Sequence, residues 1–336
     1  MTATTVFISG ANGYIAQHII KQLLAKKNYK VIGSVRSQSK GEDLAGLVND
    51  NNFSYVVIPT ISAKDAFYDV LKSHPEITVF LHAASPVTFE VEDVERDLLK
   101  PAIDGTVNAL AAIKMYGPQI ERVVVTSSGG SVFGFDKYFE SDKVYDEESW
   151  NPITYEESKS TGPVNGYFGS KKFAELAALD FVKSEKPNFE LSIVTPVYNF
   201  GPQAYEVKDK SKLNVSAEVV NTVLKFNKDD VIPGFGNVFA DVRDVARAHI
   251  TAFESEESKG KRLLVATDNF TYDTIAYIIN KHFPKVQIPK GDLSKNEAIY
   301  KQMVHKYDNS KTNKILGYDL IPLEKSIVDT VGQLLA

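Results

Sequence analysis

Residues 5–16 of this 336-residue chain have the sequence TVFISGANGYIA, in which a β-branched, apolar segment runs directly into a glycine-rich turn. From Ile15 onward apolar residues recur at helical spacing, so the stretch predicts a strand, a tight turn and a helix. Gly10 permits the turn, Gly13 lets the backbone approach a pyrophosphate, and Ala16 lets the helix pack against the strand. The first N–H groups of such a helix favour phosphate, so the turn predicts a dinucleotide site. The alternative is an ordinary turn between a strand and a helix.

The loop after the second candidate strand, residues 30–35, indicates which dinucleotide binds. Enzymes that use NAD usually place Asp or Glu about 20 residues after the glycines, where it holds the adenosine ribose. This chain has Arg36 there, followed by Lys40. A guanidinium offers paired donors to a phosphate, whereas a carboxylate would repel the 2′-phosphate. The loop therefore predicts NADPH/NADP+ as the cofactor, and the alternative is a solvated basic loop.

The composition and net charge argue against several kinds of site and binding partner. The chain has no cysteine, so it can form neither a disulfide nor a thiolate metal site, and its six histidines show no metal-ligand spacing. A net charge of −5 gives no reason to expect nucleic acid or an anionic membrane as a partner. We see no targeting segment and no apolar stretch long enough to span a bilayer. We therefore expect a cytoplasmic protein without a metal site.

Candidate strands and amphipathic helices alternate through the first two thirds of the chain. This rhythm predicts an α/β fold, specifically a Rossmann-type doubly wound parallel sheet with helices on both faces. The polar section 135–165 interrupts the rhythm and predicts a long surface excursion. The candidate strands are residues 5–9, 30–35, 53–58, 78–82, 122–127 and 191–196.

The pattern becomes irregular after Pro202, with no repeat and no low-complexity linker. We assign residues 1–196 to an NADP-binding domain that is rejoined by segments near 235–268. Residues 197–234 and 269–336 are assigned to a smaller C-terminal α/β cap, which supplies the substrate side of the cleft. The expected elements here are helices near 211–226, 241–254, 271–283 and 310–316, and a strand at 262–266.

Hydroxyl side chains end the fifth candidate strand, where parallel sheets place their ligands. Ser128 is the last of them. Downstream, Tyr167 and Lys171 are four residues apart and therefore share a helix face. Only Tyr167 opens a predicted helix between the fifth and sixth strands, which selects it as a catalytic candidate. The same Tyr-x-x-x-Lys spacing also occurs at Tyr68, Tyr155, Tyr277 and Tyr307.

Several further motifs occur together along nearly the whole chain. They are SGANG at 9–13, IAQH at 15–18, VRS at 35–37, LHAASP at 81–86, VVVTSS at 123–128, EESWNP at 147–152, YFGSKKFAE at 167–175, PVY at 196–198, FGPQ at 200–203 and DVRDVA at 241–246. This set resembles the extended branch of the short-chain dehydrogenases/reductases. Within that branch it is most similar to the yeast NADPH-dependent aldehyde and ketone reductases of the methylglyoxal/isovaleraldehyde type.

The resemblance implies a Ser-Tyr-Lys mechanism for reducing aldehydes and ketones, including α-dicarbonyls or β-ketoesters. By this likeness Ser128 orients the substrate carbonyl and Tyr167 is the general acid. Lys171 binds the nicotinamide ribose and lowers the pKa of the tyrosine. A free tyrosine has a pKa of roughly 10, so a shift of about three units would need roughly 4 kcal/mol of differential stabilisation.

The resemblance also implies a set of cofactor contacts and a substrate pocket. Gly129 and Gly130 follow Ser128, and the yeast relatives carry a bulky aromatic residue at the first of these two positions, which predicts an open pocket for bulky ketones. The alternatives are that these glycines serve a backbone turn, or that another residue fills the gap. The expected cofactor-binding residues are Gly10, Asn12, Gly13, Tyr14, Ile15, Arg36, Lys40, Ala83, Ala84, Ser85, Tyr167, Lys171, Pro196 and Val197. The expected pocket residues are Val87, Gly129, Gly130 and Tyr198.

Two other functions stay open on the same fold, because a fold does not fix a function. A nucleotide-sugar epimerase or dehydratase would favour an acidic residue where Arg36 stands. A non-enzymatic NADP-sensing regulator would be expected to have lost the tyrosine–lysine pair, which is intact here. The expected partner is a small carbonyl compound, and a homodimer is among the oligomeric states left open.

Overall fold

The glycine-rich segment forms a strand, a turn and a helix in the computed structural model, which describes residues 3–85, 89–206, 209–210 and 213–336. Gly10 has φ +68°, a left-handed conformation that glycine adopts at no steric cost. A Cβ atom on Gly10 would also lie 3.0 Å from Cα of Ala84. The Gly13 N–H donates to the Gly10 carbonyl over 2.9 Å and closes the turn. The predicted role of Gly10 in the turn thus has a direct structural reason.

Twelve strands and twelve α-helices lie within the described ranges. The strands are β1 (Thr4–Ser9), β2 (Tyr29–Val35), β3 (Phe53–Val57), β4 (Ile77–His82), β5 (Arg122–Thr126), β6 (Val144–Tyr145), β7 (Glu190–Pro196), β8 (Tyr198–Phe200), β9 (Gly236–Asp241), β10 (Arg262–Val265), β11 (Asp268–Thr271) and β12 (Lys306–Tyr307). The helices are α1 (Tyr14–Ala25), α2 (Gln38–Val48), α3 (Tyr68–Ser73), α4 (Lys100–Tyr116), α5 (Tyr155–Ser160), α6 (Pro163–Glu185), α7 (Val215–Leu224), α8 (Val242–Glu254), α9 (Tyr272–His282), α10 (Asn296–Met303), α11 (Ser310–Leu316) and α12 (Leu323–Leu335).

Seven parallel strands form the main sheet in the order β10-β7-β5-β4-β1-β2-β3. The chain order reverses between β1 and β4, and such a switch point leaves a crevice at the carboxyl ends of the strands. Ser9 fixes the two strands there, since its Oγ accepts the Ala84 N–H over 3.0 Å and contacts Nδ1 of His82 at 3.1 Å. The predicted Rossmann-type sheet is confirmed.

Alternate residues of the strands enter two separate cores, one on each face of the sheet. Val6 and Ile8 pack with α1 and α8 on one face, whereas Phe7 packs with α3, α4 and α6 on the other. This division follows from the period of two along a strand. Burial on both faces explains why these strands are almost continuously apolar. Helices on both faces therefore hold the switch point rigidly.

A second, three-stranded sheet in the order β11-β9-β8 belongs to the C-terminal part. It packs with α7, α9 and α12 around a third apolar core. The sheet joins β9, from the segment 235–268, to β8 and β11 of the expected cap, while β10 of the same segment pairs with β7 in the main sheet. The two expected parts thus share strands, and the domain boundaries themselves stay a prediction.

The structure differs from the sequence-based expectations at a few places. Helix α6 begins at Pro163 and not at Tyr167, because Gly162 takes φ +94° and proline suits the first helical position. The excursion 135–165 contains the short helix α5 and the two-residue strand β6. The helix expected near 211–226 spans Val215–Leu224.

Gly33 provides a test of how closely β2 must approach the glycine turn. A Cβ atom at this position would lie 2.5 Å from Cβ of Ala11, which is fixed to its backbone and cannot rotate away. We expect Gly33→Ala to lower the free energy of unfolding by about 1–3 kcal/mol through overpacking. Chemical denaturation measures the loss.

Gly46 in α2 is the matched control, because a Cβ there meets nothing within 4 Å. Gly46→Ala is expected to raise stability by about 0.5–1 kcal/mol through helix propensity. Equal stabilities for the two variants would contradict the close approach of β2 to the turn.

Candidate active site

A cavity of about 500 Å³ opens at the carboxyl ends of the strands, at the switch point of the main sheet. All of the predicted catalytic and cofactor-binding residues line it, although they come from six separate segments of the chain. These lining residues are Gly10, Asn12, Gly13, Tyr14, Ile15, Arg36, Lys40, Ala83, Ala84, Ser85, Ser128, Tyr167, Lys171, Pro196 and Val197.

The sequence analysis missed the wall of the cavity that the C-terminal part contributes. Residues 213–216, at the start of α7, line the cavity although no motif marks them. Their place depends on tertiary packing, and the only local signal was the predicted helix start. Asn199 in β8 also lines the cavity. The cleft is therefore lined by both the main sheet and the C-terminal part.

One end of the cavity is basic. Arg36 and Lys40 are exposed and flank Ser37, whose side chain caps α2 by accepting the Lys40 N–H. Neither basic side chain forms an ion pair with another described residue, and no Asp or Glu is found among the described residues of the lining. This end therefore offers positive charge to an anionic group.

Tyr14 has a role in the fold that its sequence motif did not indicate. Its buried hydroxyl donates to the Gly201 carbonyl and its ring contacts His18. The imidazole of His18 in turn contacts the Pro202 carbonyl at 2.9 Å. The phenol therefore ties α1 to the segment after β8, and Tyr14 faces the cavity from the first turn of its helix.

The Ser-Tyr-Lys residues meet at the other end of the cavity. Ser128 follows β5 and caps a short 3₁₀ turn, with its Oγ accepting the Gly130 N–H over 3.1 Å. Tyr167 and Lys171 lie in the second and third turns of α6, and Nζ of Lys171 is 5.8 Å from the centre of the Tyr167 ring. The Ser128 side chain interacts with the Tyr167 phenol and favours a lower pKa for it. The geometry therefore joins the serine to the proposed proton donor.

Burial controls the protonation of this group. It raises the pKa of Tyr167 above its usual value, and the Ser128 side chain acts in the opposite direction. Burial also lowers the pKa of Lys171 to about 8, which the Glu175 carboxylate partly opposes. In this structure Tyr167 is thus a neutral phenol at pH 7. The lowering of its pKa by Lys171 stays a prediction for the complex with cofactor.

The structure does not leave open space beside Gly129 and Gly130. A Cβ atom on Gly129 would lie 3.1–3.2 Å from the side chains of Val197 and Phe133, and one on Gly130 would lie 2.8 Å from the Phe168 ring. Both glycines are buried, and neither is among the residues that line the cavity. The open pocket expected at these glycines is therefore wrong, since neighbouring aromatic rings fill it.

The other two expected pocket residues have different outcomes. Tyr198 packs against Phe235 and Phe270, with ring centres 6.0 and 5.6 Å away. Burial and the neighbouring Tyr167 phenol raise the pKa of Tyr198 to about 12. Its ring thus lies near the catalytic candidate without lining the cavity. Val87 lies outside the described residues.

Across the described residues, no cluster of three or more His, Asp or Glu side chains could hold a metal ion. Within the same ranges, no helix is both long enough and apolar enough to cross a bilayer.

The order of the main sheet and the cavity at its switch point define a dinucleotide-binding protein of the Rossmann type. Residues 6–266 match the NAD dependent epimerase/dehydratase family, and the chain belongs to this family. This confirms the resemblance to the extended short-chain dehydrogenases/reductases.

The similar proteins include characterised reductases. The chain is 45% identical to the NADPH-dependent methylglyoxal reductase of Saccharomyces cerevisiae, and the match covers 98% of both chains. It is also 45% identical to Candida albicans Gre2, solved in complex with NADPH, with a TM-score of 0.94 over 99% of this chain and 98% of that one. A UDP-glucuronic acid 4-epimerase from Bacillus cereus shares only the fold, at 16% identity and a TM-score of 0.72.

Proposed function

We propose that the protein is an NADPH-dependent carbonyl reductase, which converts aldehydes and ketones to alcohols. One observation carries the proposal: a single cavity is lined by a basic pair, Arg36 and Lys40, after β2 and by Ser128, Tyr167 and Lys171, of which Ser128 follows β5 on the other side of the switch point. Such a cavity suits a phosphorylated dinucleotide that extends toward a carbonyl substrate. The 45% identity to NADPH-dependent Gre2 proteins over nearly the full chain supports it.

The residues of the cavity fit NADPH on structural grounds. The left-handed Gly10 and the adjoining N-terminus of α1 present backbone N–H groups to a pyrophosphate. Arg36 and Lys40 supply charge for a 2′-phosphate, and no carboxylate in the described lining opposes it. When bound, the nicotinamide supplies the hydride. The remaining chemistry falls to side chains of this chain.

Ser128 and Tyr167 act on the oxygen atom of the substrate carbonyl. As hydride reaches the carbonyl carbon, the C=O double bond opens and negative charge develops on oxygen. Ser128 donates a hydrogen bond to that oxygen, and Tyr167 transfers its phenolic proton to it, which gives the alcohol. Because burial raises the pKa of Tyr167, the proton is present at neutral pH. At neutral pH Tyr167 is therefore in the protonated state that reduction requires.

Lys171 acts beside the tyrosine and not on the substrate. Its ammonium lies 5.8 Å from the Tyr167 ring centre, and burial lowers its pKa to about 8. At pH 7 it is therefore mostly protonated. A nearby cation stabilises the phenolate that forms when the proton leaves, and three N–H donors suit ribose hydroxyls.

The two other functions have less support from the site. An NAD-bound epimerase or dehydratase would favour an acid at the position of Arg36, and the epimerase with the same fold is only 16% identical. A sensor without catalysis would not need Tyr167, Lys171 and Ser128 together in one cavity. The activity test therefore has to include a control for the epimerase or dehydratase reaction.

The test is an assay of NADPH consumption with purified protein and a panel of carbonyl compounds. The panel holds isovaleraldehyde, methylglyoxal, a diketone and a β-ketoester, with NADH run in parallel. We expect NADPH oxidation with several of them and formation of the corresponding alcohols. Turnover of nucleotide sugars without net NADPH oxidation would instead support the epimerase or dehydratase. Cytoplasmic localisation and the homodimer stay predictions, which cell fractionation and light scattering would test.

A further inference from the structure

Glu175 is a buried carboxylate one helical turn beyond Lys171, and the roles assigned above do not use it. Its side chain has no exposed surface. Ser127 donates its Oγ hydrogen to one carboxylate oxygen over 2.5 Å, and Nε of Arg262 donates to the other. The carboxylate therefore connects α6 to the end of β5 and to β10. Ser127 directly precedes Ser128, so this connection joins the three catalytic candidates.

Arg262 is held in place by several other contacts. Its Nη1 donates to the carbonyls of Glu147 and Ser149 over 2.7 and 2.8 Å. Its guanidinium also stacks on the Trp150 ring at 3.9 Å. Because the arginine is fixed on one side, its ion pair fixes the position of Glu175. These contacts connect α6, through Glu175, to β10 and to the segment 147–150.

Among the titratable groups around Lys171, Glu175 is the nearby anion. Lys171 is only 6% exposed and forms no ion pair with another described residue. The titratable groups that face it are Tyr167 and Glu175 on its own helix and His82 on β4, with Arg262 on β10 behind the glutamate. Burial and the Lys171 charge lower the pKa of His82 to about 4, so this imidazole is neutral at pH 7. Glu175 therefore provides the compensating negative charge.

We infer that Glu175 is a positioning residue for the carbonyl reduction proposed above. Through Ser127 it sets the end of β5, and hence Ser128, against the helix that carries Tyr167 and Lys171. Through its negative charge it favours the protonated, ammonium form of Lys171. The inference rests on the proposed function, because it assigns Glu175 a part in that reaction.

The test compares variants that separate charge from connection. Glu175→Gln keeps the size and an acceptor for Ser127 but removes the charge. Because it leaves Arg262 without a partner, Glu175→Gln with Arg262→Gln is a second variant that removes both charges together. Ser127→Ala keeps the charge and removes the connection to β5. Glu147→Gln is the matched control, since the side chain of this buried glutamate accepts from Thr312 and does not contact Glu175, and the substitution keeps the backbone carbonyl that holds Arg262.

The readouts are kcat, KM for the carbonyl compound, and the pH dependence of kcat/KM for NADPH, which reports ionisations of the free enzyme. We expect the loss of charge at Glu175 to move the basic limb of this profile, which is the decline of kcat/KM at high pH, to lower pH. The reason is that Lys171 then loses its proton more easily. We expect Ser127→Ala to lower kcat about tenfold by misplacing Ser128, with KM and the basic limb nearly unchanged. Glu147→Gln should leave kcat and the basic limb as in the unmodified enzyme.

A lower melting temperature for the Glu175 variants, with kcat and the basic limb unchanged, would show a purely structural role and overturn the inference. If the unmodified enzyme reduces no carbonyl compound, the proposed function fails instead. The inference then still has its own test, an NMR titration of ¹³C-methylated Lys171 with and without Glu175→Gln. An unchanged midpoint would overturn it.

Discussion

Tyr167→Phe is expected to abolish turnover while NADPH affinity stays close to that of the unmodified enzyme. The change removes only the phenolic oxygen, which lies in the cavity with Ser128 and supplies the proton in the proposed reaction. Loss of a positioned general acid typically costs about 10²–10⁴-fold in rate. The dinucleotide is held mainly at the glycine turn and at Arg36, which the substitution does not touch. Steady-state kinetics and a fluorescence titration with NADPH measure the two quantities.

Tyr155→Phe is the matched control, because Tyr155 has the same four-residue spacing to a lysine. Its hydroxyl donates to Glu95 over 3.2 Å and its ring packs on Phe173, so it belongs to the surface excursion. We expect this variant to keep nearly full activity. A Tyr167→Phe variant that retained more than a tenth of the original rate would contradict the catalytic assignment.

The parallel sheet could be predicted from the sequence because its strands are buried on both faces. Each of the six candidate strands corresponds to a strand of the main sheet, and each differs from it by one residue at one end. A continuous β-branched run such as Val123–Val125 places apolar side chains on both faces of a strand, so both faces have to be buried. The small sheet β11-β9-β8 was different, since its strands of three to six residues pair with distant segments. Short strands of that kind carry little periodicity for a local pattern to detect.

The residues of the cavity could be predicted where a motif requires a particular backbone conformation or spacing. They were much harder to predict where tertiary packing places them. Gly10 and the Tyr167–Lys171 spacing each carry a local geometric requirement, and both lie in the cavity. Gly130 gave a misleading signal, because the missing side chain is replaced by the Phe168 ring from a different element. Glu175 ends the motif at 167–175, but the motif did not indicate its role, since its partners are Ser127 after β5 and Arg262 in β10. Pro163 did carry a usable signal for the start of α6.

Arg36→Asp is expected to shift the cofactor preference strongly from NADPH toward NADH. The basic pair at this end of the cavity would lose a charge-assisted contact, and the new carboxylate would repel the 2′-phosphate. Together the two effects are worth about 2–4 kcal/mol at that phosphate. This corresponds to roughly a 30- to 800-fold change in the ratio of kcat/KM for NADPH to kcat/KM for NADH. An aspartate could also hold the ribose hydroxyls of NADH, which moves the ratio in the same direction.

Lys30→Asp is the matched control for this change of charge. Lys30 is exposed near the start of β2, the strand that Arg36 follows, and lies away from the cavity at the carboxyl end. A general electrostatic effect of lost positive charge would alter both variants, whereas direct recognition of the 2′-phosphate would alter only Arg36→Asp. Because Lys40 stays in place in both variants, some preference for NADPH should survive in Arg36→Asp. If its ratio stayed within about threefold of the unmodified enzyme, the 2′-phosphate site would have to be sought elsewhere in the cleft.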